Sequence, residues 1–180
     1  VLKGSLFLTE ELTIQYKVKN FTKSNLEKIE NNWDNIKNSI SQTVNLVSKF
    51  GFSRNNIPSS GALLPIALFI NKNNRSNYHL STDLNDSKTH NIIQKWLILS
   101  LVKGSFGSSS DSILRKVRDA ILTNSNVTDF PYVELNKSLV QEPSFSNTEL
   151  ENIQKINYKT KYSYLVLSLL YPDRDWKDNI

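Results

Sequence analysis

From Leu26 to Phe50 the residues Leu26, Ile29, Trp33, Ile36, Ile40, Val44, Val47 and Phe50 recur at steps of three and four. That spacing puts every one of them on a single face of an α-helix, a stripe about seven turns long. A strand would need alternation instead. Both ends carry their own signals. Ser24 followed by Glu27 matches a capping box, in which the hydroxyl takes an orphan backbone N–H and the carboxylate reaches back to the cap. Gly51 supplies the left-handed residue that closes such a helix, and Phe52 can fold back on its last turn. A chain holding one helix of this length and amphipathicity must cover it with other elements, and the remaining segments decide which.

Most of them are helical too. Leu63 to Ile70 is apolar nearly all round, with Pro65 placed for a first turn, so this segment is expected at the centre of the core. Asn71 to Lys88 is polar and loop-like. A helix resumes near Thr89 with Ile92, Ile93, Trp96, Leu97, Leu101 and Val102, and ends at Lys103-Gly104. The Gly/Ser turn from Gly104 to Asp111 leads into a helix with Ile113, Leu114, Val117, Ile121 and Leu122. Pro131 opens a short helix over Val133, Leu135 and Leu139. Ser146 and Glu149 form a second capping box, before Leu150, Ile153 and Ile156. A last apolar helix runs from Tyr162 to Tyr171 and stops at Pro172.

The N-terminal stretch differs. Val1, Leu2, Leu6, Phe7 and Leu8 make its opening apolar, and Leu12, Ile14, Tyr16 and Val18 then alternate with polar neighbours, which predicts a short extended segment with one buried face. The expected fold class is therefore all-α, a bundle of about seven helices with a short extended N-terminal segment. Residues 1–180 are expected to form a single helical domain: 1–23 a helix end and extended arm, 24–171 the helical core, 172–180 a C-terminal tail. The chain contains no Met and begins at Val1 inside an apolar stretch, so a fragment of a larger protein is the expectation.

Composition narrows the chemistry. There is no Cys, which excludes disulfides, thiolate metal sites and a cysteine nucleophile, and fits a reducing, cytoplasmic setting. The longest apolar runs, Ala62–Ile70 and Tyr164–Tyr171, fall far short of the ~20 residues of a spanning helix, so no membrane partner is expected. Net charge is +5, but the basic residues are scattered rather than clustered. Arg115, Lys116 and Arg118 lie on or near the polar face of the 110–122 helix and are the candidate contacts to duplex DNA. The remaining motifs read as structure. The Gly/Ser turn before Asp111 lacks the Gly-Lys-Ser/Thr of a phosphate loop, and Asp111 would repel an anion there. His79 and His90 do not have zinc-ligand spacing. Asp83 and Asp86, and Asp173, Asp175 and Asp178, are expected as exposed loop charge, with a self-sufficient metal-dependent nuclease as the competing use. The Trp and Tyr residues lie in apolar stripes and are expected in the core.

Several segments, in order, resemble a known family. They are Lys17-Val18-Lys19-Asn20-Phe21-Thr22 with Ile29-Glu30 and Trp33; Gly61-Ala62-Leu63-Leu64-Pro65-Ile66; Gln94-Lys95-Trp96-Leu97; Gly104 through Asp111; and Leu167-Ser168-Leu169-Leu170-Tyr171-Pro172. Together they are similar to the middle region of bacterial proteins of the GmrSD restriction-endonuclease type. In that family an N-terminal ParB-like domain carries an Asp-Gly-Gln-Gln-Arg motif and a C-terminal HNH-type nuclease domain an Asp-His-Ile-Phe-Pro motif. This chain contains neither motif, so no catalytic residue of the family maps onto it. The resemblance implies a non-catalytic helical connector between a nucleotide- or DNA-handling domain and a nuclease, without a cofactor, with the flanking domains as partners. The alternative is a protein–protein interaction module that docks partner domains without touching nucleic acid.

Overall fold

A computed structural model describes residues 2–9, 14, 17–74, 76–107, 111–124, 128–139 and 144–171. Among these residues the chain is all-α, with nine α-helices, three single 3-10 turns and no strand. The helices are α1 (Leu2–Leu8), α2 (Lys23–Asn31), α3 (Trp33–Lys49), α4 (Leu63–Asn73), α5 (Leu84–Val102), α6 (Asp111–Thr123), α7 (Tyr132–Ser138), α8 (Asn147–Gln154) and α9 (Lys161–Leu170).

The long stripe from Leu26 to Phe50 is two helices. Asn32 interrupts it with a non-helical backbone (φ −104°, ψ 7°), and its side-chain amide donates to the Lys28 carbonyl at 2.9 Å. Asparagine competes in this way with the main chain for the helix's own acceptors, and Asn32 does so where α2 ends. The Ser24–Glu27 capping box does not form. Thr22 is the cap instead, its hydroxyl accepting from the Asn25 N–H at 3.3 Å, while Glu27 pairs with Lys23 at 3.9 Å on the exposed surface. The C-terminal end matches expectation. Gly51 has φ +86°, its N–H donates to Ser48 O and the Phe52 N–H donates to Val47 O, a complete Schellman closure that tucks Phe52 into the core.

The N-terminal arm is a second correction. Among its described residues Lys17 is extended, but Val18–Asn20 forms a 3-10 turn, and Val18 is 91% exposed rather than on a buried face. Ile14 is fully buried, whereas Leu12 and Tyr16 lie outside the described residues. Upstream, α1 buries Leu6, Phe7 and Leu8.

As its composition demands, α4 is central. Every side chain from Pro65 to Ile70 is buried, and α1, α3 and α6 all pack on it. It starts after a 3-10 turn at Ser60–Ala62, with Pro65 in the first turn, and ends on the left-handed Asn74. The segment between α4 and α5 is shorter than its polarity suggests, since α5 begins at Leu84 rather than Thr89, capped by Asp83. A 3-10 turn at Tyr78–Leu80 is fixed to α3 by the buried Gln42, whose carbonyl accepts the Tyr78 N–H. At its far end α5 closes on Gly104 (φ +65°) with a second Schellman pattern, the Ser105 N–H donating to Ser100 O at 3.0 Å.

Edge-to-face rings tie these helices together. Phe130, just before α7, stands against Phe69 of α4 at 5.4 Å and Trp96 of α5 at 5.2 Å. Trp96 in turn meets Phe106, and Phe69 meets Tyr78. Each such pair adds about 0.5–1.5 kcal/mol beyond area burial. Other aromatics depart from expectation: Trp33 is 42% exposed, and Tyr132, Tyr158, Tyr162 and Tyr171 also face outward.

Candidate functional site

The basic helix α6 places its three cations in different settings. Arg115 and Lys116 are exposed, but Arg118 is buried, at 8% exposure. The reason is periodicity: Arg118 is four residues after Leu114 and three before Ile121, so it falls in the same stripe as Leu114, Val117 and Ile121, all buried. Its aliphatic stem can pack among these side chains. The exposed face that remains carries Arg115 and Lys116 beside the exposed Asp119. At the helix start, Asp111 pairs with Lys3 of α1 at 3.1 Å, a half-exposed bridge stabilising by at most ~1 kcal/mol. Ser108 to Ser110 lie outside the described residues.

The acidic groups hold helix ends. Asp83 accepts from the Asn85 and Asp86 N–H groups at 2.8 and 3.4 Å, the ordinary work of an N-cap. Asp86 is not the exposed loop charge expected of it: it lies in α5, is buried, and accepts from the Ser81 hydroxyl at 2.5 Å. Asp173, Asp175 and Asp178 lie outside the described residues. His90 is buried edge-on against Tyr78, ring centroids 4.7 Å apart. Among the described residues no three His, Cys, Asp or Glu side chains gather as a metal site would require, and no helix is long and apolar enough to cross a membrane.

Among the described residues, three clefts bear on function. The first, about 280 Å³, lies between α1, α3, α4 and α6 and is lined mainly by apolar side chains, including Ile40, Val44, Leu64 and Leu114. The Lys3–Asp111 pair stands at its edge, and Val44 is half exposed. A second cleft, about 460 Å³, is polar, with Lys28, Asn32, Asn35, Asn71, Lys72 and Asn74 around it. Here Lys72 donates to the Ile121 and Leu122 carbonyls at 3.3 and 3.0 Å, capping the C-terminal end of α6 where a cation is favoured.

The third cleft, about 350 Å³, separates α8 from α5 and α9. Lys103, at the end of α5, crosses it to Glu149 at 3.1 Å and also donates to the Ser144 carbonyl at 2.9 Å. Glu149 meanwhile closes the expected capping box, accepting from the Ser146 N–H at 2.8 Å while the Ser146 hydroxyl accepts from the Glu149 N–H. The Ser146 N–H first, and then Lys103, hold the Glu149 carboxyl below the usual carboxylate range. The box is legible in the sequence; nothing local marks Lys103 as its second partner. No family model matches this chain, and no curated protein matches it.

Proposed function

We propose that the chain is a non-catalytic helical connector of a multidomain DNA-restriction protein, as its resemblance to the GmrSD type implies, holding flanking catalytic domains in place. The observation that supports this reading is how the ionisable side chains are used. Asp83 and Lys72 cap helices, and Asp111 bridges from α6 to Lys3 of α1. Groups committed to rigidity in this way suit a spacer between other domains. Incubating the chain with supercoiled plasmid and Mg²⁺ or Mn²⁺ tests it. Intact plasmid is expected; cleavage that disappears in Asp83→Asn or Asp86→Asn overturns the reading in favour of a nuclease.

Contact with duplex DNA through Arg115 and Lys116 is the finer part of the proposal. A gel shift at ~50 mM salt that weakens steeply by ~200 mM, and is lost in the Arg115→Glu/Lys116→Glu double variant, supports it. Absence of binding at low salt removes it and leaves docking of partner domains alone. The charge balance of the α6 face, where Asp119 stands with Arg115 and Lys116 and Arg118 is withdrawn into the stripe, favours that second reading.

A further inference from the structure

The segment from Ser144 to Lys155 is attached to the body unlike any helix of the core. None of the residues of α8 is fully buried, and of its apolar side chains Ile153 is half-buried and Leu150 exposed, so little apolar surface holds it down. A helix this short is marginal by itself in water. One side chain at the end of α5 makes most of its polar attachments. The Lys103 side chain is only 9% exposed and makes three attachments to the segment: Glu149, the Ser144 carbonyl, and the Phe145 ring, 5.3 Å from the ammonium. Beneath lies the third cleft, with Val102 of α5 and Tyr162 of α9 on one side and Asn152, Ile153 and Ile156 on the other. At the C-terminal end the segment meets α9 through a turn in which Lys159, a non-glycine residue, adopts φ +68°. That left-handed residue lies in the turn directly before the Thr160 cap of α9.

We propose that Ser144–Lys155 is a strap that opens as a unit from the end of α5, with Lys103 as its latch, while the helices around α4 stay closed. The charges facing one another across the gap are the Lys103 ammonium and the Glu149 carboxylate, with the Tyr162 phenol on the α9 wall. Glu149 acts at both ends of the device, since the same carboxylate completes the α8 cap. Opening uncovers the Lys103 ammonium and the end of α5.

Hydrogen exchange of the full chain at neutral pH, read by mass spectrometry, tests it. Lys103→Met keeps the apolar stem and removes the charge, and Glu149→Gln keeps a capping acceptor while weakening the latch. Both are expected to speed exchange of the 147–155 amides by about tenfold, with α3, α4 and α5 peptides unchanged. Unchanged protection of α8 in both variants overturns the proposal, and so does an equal rise across all peptides. Should Lys103→Met fail to fold, Glu149→Gln alone gives the same discrimination.

Discussion

α4 and α8 are both short helices, of 11 and 8 residues, and they persist for opposite reasons. α4 has no side-chain cap at its N-terminal end, only the 3-10 turn before it, yet it buries six consecutive side chains from Pro65 to Ile70. Removing that surface from water stabilises it non-directionally, at roughly 25 cal/mol per Å². α8 buries no side chain fully, yet joins two polar devices on one carboxylate: a reciprocal capping box and the Lys103 ammonium from the end of α5. Apolar burial makes a helix immovable, whereas capping and charge make one that can be released without disturbing the rest.

Substitutions should separate the two regimes. Leu68→Ala in α4 removes a fully buried side chain and is expected to cost about 2–5 kcal/mol of global stability, measured by urea denaturation. A loss below 1 kcal/mol would mean that α4 is not the centre of the core. Gly51→Ala comes next. The backbone there is left-handed, and a Cβ would lie 2.6 Å from the Tyr164 hydroxyl, which donates to the Gly51 carbonyl. The left-handed conformation alone costs roughly 1–2 kcal/mol, and a thermal melt should show it, with α9 loosened first. Ser146→Ala removes the cap acceptor of α8 and should cost about 1 kcal/mol locally, seen as faster α8 exchange with an almost unmoved global midpoint. A global loss as large as that of Leu68→Ala would erase the contrast.

The smallest effect is that of pH. Because the folded pKa of Glu149 lies below its unfolded value, its contribution is complete above about pH 4.3 and is lost as pH falls further. An NMR titration of the Ser146 amide should therefore stay flat from neutrality to that point and move below it. A shift near pH 6 would show that another group governs the cap.

Much of the fold was legible because much of it is local. The ends at Gly51 and Gly104, the box at Ser146 and Glu149, and the buried run after Pro65 depend on residues within about one or two turns of each other, where chain geometry fixes who meets whom. The burial of Arg118 could be read too, since it shares a stripe with Leu114 and Ile121. Its charge suggested the polar face, but its helical position governs. The break at Asn32 had a signal in the paired asparagines, masked by the continuous apolar pattern around them.

What the sequence determined by itself is therefore the ends marked by Gly51, Gly104 and the Ser146 box, the buried run of α4, and the all-α class of the described residues. Only the tertiary structure decided which distant groups complete the polar accounts: Gln42 with the Tyr78 N–H, Lys103 with Glu149, and the Tyr164 hydroxyl with Gly51, separated by 36, 46 and 113 residues. It also decided that Trp33, though on an apolar stripe, faces outward. The physical reason is range. A cap or a Schellman turn is closed by the backbone that presents it, while a buried donor is satisfied by whichever helix packing brings alongside, and packing depends on the whole chain at once.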